Sequence, residues 1–196
     1  MNAPDNSEKR LELVYKYFSH HMRTNTAVIV AMLEAINEGL SDDSMTEMIM
    51  ESGYLLDIFD RGMSVCFNHI FDKPESSNTE EVNLLTLVTL FAENGVTSEI
   101  RDNIEIDISQ NILVKCEPYA FKSLVHIFLH EASLVSTDKF SAIFKENSLI
   151  ISPDAGFYEN PPAFAIFSEV LQKQGMTLEY NKISITLRFP DESINC

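Results

Sequence analysis

The stretch YFSHHMRTNTAVIVAML, residues 17–33, sets two histidines, an arginine and a threonine at the head of an apolar run. On a helix, His20, Arg23, Thr24 and Ala27 share one face, at spacings of three, four and seven. An imidazole on such a face is a nucleophile or proton carrier near neutral pH. A guanidinium beside it neutralises anionic oxygens, a hydroxyl orients a water or a carboxylate, and alanine leaves room for an approaching surface. His21 belongs to a different face. It falls on the apolar seam of the same helix, where a polar residue is bonded across the packing interface.

The helix that carries these residues is predicted over residues 7–39, with Ser7 as N-cap and Gly39 at the C′ position. Its seam is a heptad of Val14, Phe18, His21, Asn25, Val28, Met32 and Ala35, polar in the middle. His20 stands one residue before the seam, on its rim. The polar pair His21 and Asn25 is suited to fixing register and dimer state. "SDDS" at 41–44 is a turn with capping residues, and a second helix follows from Met45 to Phe71. A short loop between two long helices makes an antiparallel hairpin. One hairpin cannot bury both wide apolar stripes, so two chains are expected to join as a four-helix bundle homodimer.

Residues 72–81 read as a linker of Pro, Ser, Asn and acidic residues. Beyond it the periods change. A helix ends at Gly95, two strands follow about a turn near Gln110 and Asn111, and a helix opens at Pro118. A hairpin turns at Glu146 and Asn147, a helix ends at Gly175, and a final hairpin closes the chain. The expected class is α+β, with a helical hairpin at 1–72 and an α/β sandwich at 82–196.

The chain has 196 residues, is 45% hydrophobic and carries a net charge of −16. It can bury a core, and its acidity argues against nucleic acid and against an anionic membrane surface as partners. The N-terminus has no apolar signal-like core. The longest apolar run, Ala27 to Leu33, is too short to span a bilayer. Cys66, Cys116 and Cys196 lack metal-type spacing, so the expected setting is reducing and cytoplasmic. His126 and His130 have the i, i+4 spacing of a chelating pair, but no third ligand stands at motif distance; with His69 they are expected to be structural or surface histidines, and no metal site is expected.

FSHHMRT resembles the phosphorylation box of sensor histidine kinases, F-x-H-E-[LM]-R-T-P, and the order of elements resembles their core over almost the whole chain. That core is a dimerising hairpin with a phosphorylated histidine, followed by a histidine-kinase-ATPase-like (Bergerat-type) α/β sandwich. By this resemblance His20 is the phospho-acceptor, with Arg23 and Thr24 matching the arginine and threonine. His21, the secondary candidate if the register slips by one, stands where the family has an acidic residue, and Asn25 where it has proline.

The nucleotide boxes depart further. The two asparagines of N-L-x-x-N-A fall on Ile127 and Glu131. D-x-G-x-G keeps Asp154 and Gly156 but has Tyr158 last, and the glycine-rich box reads Pro161, Pro162, Ala163, Phe164. Isoleucine cannot hold Mg²⁺, and proline offers no N–H to phosphate. Only ENPP lies between Tyr158 and Ala163, so the ATP lid is missing. The resemblance therefore implies a histidine phosphotransferase on a degenerate kinase scaffold. Such a protein relays phosphate between response-regulator receiver domains through His20, with Ala27 in the docking face. It needs no cofactor of its own, and the receiver supplies Mg²⁺. A sensor kinase is a further partner of that class. The alternative is a non-catalytic docking protein of the same pathway.

Overall fold

The computed structural model describes residues 6–40, 42–73, 78–96, 98–157 and 160–195. Two long antiparallel helices, α1 (Asn6–Asn37) and α2 (Asp43–Ile70), form the expected hairpin. Helix α1 begins before Ser7, which lies inside it and is not its cap. Its end follows the expectation. Gly39 takes φ +86°, Leu40 N bonds Ala35 O and Gly39 N bonds Ile36 O, the paired closure of a Schellman motif. Asp42 caps α2, its carboxylate accepting from Met45 N at 2.9 Å. Ser41 of the predicted turn lies outside the described residues.

The α/β unit comprises β1 (Glu80–Asn83), α3 (Leu84–Asn94), α4 (Ser98–Arg101), β2 (Ile104–Asp107), β3 (Leu113–Cys116), α5 (Pro118–Val135), β4 (Phe140–Lys145), β5 (Ser148–Pro153), α6 (Phe164–Lys173), β6 (Thr177–Tyr180), β7 (Ile185–Arg188) and β8 (Ile194–Asn195). The main sheet is mixed, in the order β2-β4-β5-β7-β6, and a small antiparallel sheet runs β1-β3-β8. Two details correct the sequence reading. Residues 80–83, assigned to a linker and a helix start, form a strand. Also, β2 and β3 are not a hairpin: β2 runs parallel to β4, and β3 pairs with β1 and β8 in the other sheet. Alternation identifies a strand but not its partner, and α5 supplies the crossover that a parallel pair requires. The β4–β5 hairpin turns at Glu146 and Asn147, whose φ of 51° and 55° suit a two-residue turn of the I′ kind.

One face of the main sheet is apolar and covered: Phe140, Ala142, Leu149, Ile151, Ile185 and Leu187 are all at most 1% exposed. Helix α5 lies against it and is itself buried along almost every turn, from Ala120 to Ser133. Its other side meets the hairpin. Phe18 of α1 and Gly62 of α2 make the notch into which Ile127 of α5 fits; a Cβ on Gly62 would stand 2.5 Å from Ile127 Cδ1 and 2.9 Å from Phe18 Cε1. Glycine is needed here for close approach, not for a turn. A second tie joins three helices, since Arg10 of α1 and His69 of α2 both bond Glu169 of α6, the latter at 2.9 Å. No helix among the described residues is long and apolar enough to cross a membrane.

Candidate functional site

His20, Arg23, Thr24 and Ala27 are all exposed, on one face of α1. The helix phase decides this. Val14, Phe18 and Asn25 are buried toward α2, so residues 20, 23, 24 and 27 turn outward. Arg23 has no carboxylate partner among the described residues, so its guanidinium is available to an anion. Thr24 donates its hydroxyl to His20 O at 3.1 Å, leaving its oxygen as an acceptor. Along the same helix Arg23, Ala27, Val30, Ala31 and Glu34 border a shallow, largely apolar trough. Asn25 spends its amide donor on His21 O at 3.0 Å, so the polar centre of the seam is satisfied within its own helix.

His21 points inward, its side chain 14% exposed. Its ring stacks on Phe59 at a 4.5 Å centroid distance and 12° tilt, and meets the edge of His130 at 5.5 Å. Its Nε2 lies 3.5 Å from Glu131 Oε1. Burial, and next the neighbouring His20, push the His21 imidazole down to about 4, so it is neutral at pH 7. The rings of His20 and His21 are 5.5 Å apart, edge to face. The two histidines therefore differ in kind: one is offered to solvent, the other packed and uncharged.

Glu131, at the second asparagine position, faces the hairpin. Its Oε1 accepts from the Tyr17 hydroxyl at 2.5 Å. Burial raises the carboxyl's affinity for a proton, and the Tyr17 bond offsets part of that. Burial also raises Tyr17, with the Glu131 charge next in order. Ile127, at the first asparagine position, is wholly buried against Gly62 and Phe18. The two positions are thus spent on joining the hairpin to α5. The contacts of Tyr17 and Glu131 were not foreseen from sequence. The only available signal was that Tyr17 and His21 stand four apart on one helix face.

Asp154 is exposed but fully engaged. It accepts from Thr137 N (2.9 Å), Thr137 Oγ1 (3.0 Å), Asp138 N (2.8 Å) and Lys139 N (3.3 Å). These donors hold its carboxyl well below the usual carboxylate range. Gly156, at φ +76°, closes against the β6–β7 loop, where a Cβ would meet Lys182 O at 2.8 Å. Tyr158 lies outside the described residues. Pro161 and Pro162 precede α6, whose first residue Phe164 is buried.

The remaining histidines sit in interfaces. His126 Nε2 bonds Leu87 O at 3.0 Å and its Nδ1 meets Tyr54 Oη at 3.2 Å. Burial pushes it down to about 4, and pushes His130 down to about 3. Among the described residues no group of three His, Cys, Asp or Glu side chains is arranged to hold a metal ion.

No protein-family model and no curated protein sequence matches the chain. Solved structures do. A histidine kinase of Acinetobacter baumannii, AdeS, aligns over 86% of this chain and 95% of that chain, with 14% identity and a TM-score of 0.51. The cytoplasmic segment of the histidine kinase QseC aligns over 68% of this chain and 94% of that one, with 13% identity and a TM-score of 0.55. A bacterial phosphotransferase aligns over 94% of this chain and 97% of that one, with 10% identity and a TM-score of 0.47, too low to bear on the argument. At these identities the likeness concerns the fold. The chain has the fold of a histidine kinase cytoplasmic core, a helical hairpin followed by a mixed α/β unit.

Proposed function

We propose that the chain is a phosphorelay histidine phosphotransferase that takes a phosphoryl group from a phospho-aspartyl receiver domain onto His20 and passes it to another receiver, without ATP. The observation that carries this reading is the contrast between two sets of residues. His20, Arg23, Thr24 and Ala27 are exposed together on α1, while Ile127 and Glu131 are packed against the hairpin.

In the forward step the lone pair of a neutral imidazole nitrogen of His20 attacks phosphorus. An N–P bond forms, the P–O bond to the aspartyl oxygen breaks, and the aspartate leaves as carboxylate. Such transfer depends on in-line positioning and charge neutralisation more than on covalent help from the protein. Arg23 offers positive charge, Ala27 leaves room for the receiver, and the receiver's own acidic pocket brings Mg²⁺. Binding of ATP is disfavoured because Ile127 offers Mg²⁺ no ligand, Glu131 sets a carboxyl group at the second asparagine position, and Asp154 already accepts four hydrogen bonds. Pairing of two hairpins as a four-helix bundle completes the proposal. It is supported by Val30 and Leu33, three residues apart on α1, which remain 48% and 52% exposed in the single chain.

The test is incubation with a phosphorylated receiver domain. The wild type is expected to gain acid-labile phosphate and His20→Ala to gain none. Equal labelling of both would overturn the assignment of His20. Receiver binding without any labelling would favour the docking alternative.

A further inference from the structure

A cavity of about 350 Å³ lies where the hairpin meets the α/β unit, away from the His20 face. Its walls come from α2 on one side and from β1, α3 and α5 on the other. The volume is within the range of small-molecule sites. Ile58, Val82, Leu87 and Leu90 supply an apolar lining.

Most polar groups around it are already engaged. Asp57 is held by Arg61, with Nη2 2.7 Å from Oδ2. Glu81 Oε1 accepts from Asn195 at 2.6 Å. Asn83 donates to Gln110 O at 2.7 Å and accepts from Thr86 N at 2.8 Å. Ser123 donates to Tyr119 O at 2.7 Å.

Lys122 has no ion-pair partner, and the Thr86 hydroxyl no hydrogen bond, among the described residues. Tyr54 also has capacity left, by a tautomer argument. Leu87 O can only accept, so Nε2 of His126 carries the proton. Its Nδ1 then accepts the Tyr54 O–H, and the phenol oxygen keeps its lone pairs for another donor. His126 is 6% exposed and bonded at both nitrogens, so this arrangement is fixed before any ligand arrives.

We propose that this cavity binds a small amphipathic acid, a compact apolar body on Ile58, Val82, Leu87 and Leu90, its carboxylate on Lys122 and a hydroxyl donating to Tyr54. Such a ligand touches helix α2 of the hairpin and helices α3 and α5 of the α/β unit at once. It therefore stabilises their docked arrangement by mass action. None of the residues that line it belongs to α1, the helix that carries His20.

The experiment uses 4-hydroxyphenylacetate, its neutral amide, and phenylacetate as probes of the full chain, read by ¹H–¹⁵N chemical-shift titration and by thermal midpoint. The acid is expected to bind about tenfold or more tighter than the amide and to raise the midpoint. Lys122→Met, at an exposed position, is expected to abolish that preference. Tyr54→Phe should remove the advantage of the hydroxylated acid over phenylacetate. Leu90→Trp, filling the cavity from a side chain now 45% exposed, should eliminate binding of all three. Circular dichroism checks that each variant is folded. The proposal is overturned if no probe binds at about 10 mM, if acid and amide bind alike, or if Lys122→Met binds as the wild type does.

Discussion

Tyr17 on α1 donates its hydroxyl to Glu131 on α5 at 2.5 Å, so α5 is bonded to the helix that carries His20. The bond is part-buried and its acceptor is a carboxyl group whose side chain is 14% exposed. Removing the donor leaves that acceptor short of a partner in a poorly solvated place. Tyr17→Phe is expected to cost about 1–3 kcal/mol, measured as a lower urea midpoint. Adding Glu131→Leu to Tyr17→Phe should recover part of the loss, because the orphaned acceptor is then gone as well.

The close contact at Gly62 gives a second test. Gly62→Ala places a methyl against Ile127 and Phe18 and should destabilise by about 1–3 kcal/mol through overpacking. Ile127→Val removes the Cδ1 that the new methyl would meet at 2.5 Å. The double variant should therefore be more stable than the sum of the two single changes predicts, which a double-mutant cycle in urea will read.

Stability should fall on mild acidification. His21, His126 and His130 are pushed down from 6.5 to about 4, 4 and 3, chiefly by burial. Each binds a proton more readily in the unfolded chain. Their contribution is complete above pH 6.5 and is lost as the pH falls from there toward 4 for His21 and His126 and toward 3 for His130. Glu131, shifted the opposite way, loses its contribution as pH rises through its raised value and offsets part of the trend. Urea midpoints at pH 7.5 and 5.0 should differ, with the lower value at pH 5.0. The slope is bounded by about 1.4 kcal/mol per pH unit for each proton taken up. A flat profile would contradict the burial of these rings.

The exposed face of α1 can be probed without touching the core. Ala27→Arg adds bulk and charge four residues beyond Arg23, on a face that is exposed among the described residues. It is expected to lower receiver affinity about tenfold or more, read by calorimetry, with thermal midpoint and circular dichroism unchanged. Loss of folding instead of binding would show that the face is structural.

Asp154 serves the loop before β4. Asp154→Ala should accelerate hydrogen exchange at the Thr137, Asp138 and Lys139 amides, the three backbone donors it now engages. Exchange should stay slow in the buried strands.

Much of this was legible in the chain itself. The seam of α1, from Val14 through Phe18 and Asn25, sets which residues turn outward, because a helix of 3.6 residues per turn fixes the angle between His20 and His21 whatever lies around it. Gly39, Asp42 and the pair Glu146–Asn147 mark the helix end, the helix start and the hairpin turn through local backbone chemistry alone. The losses at Ile127 and at Pro162 are likewise plain, since no surrounding fold gives isoleucine a metal-binding oxygen or proline an N–H. Tertiary structure decided what depends on neighbours distant in sequence. The alternating residues 104–107 and 113–116 share no sheet, because strand partnership is set by long-range packing over α5 and not by alternation. Whether Glu131 would be an exposed charge or a bonded one depended on the docking of α5 against α1, which brings residues 114 positions apart together. That docking makes Tyr17, His21 and Glu131 a single junction, and it leaves His20, one residue away from His21, facing solvent.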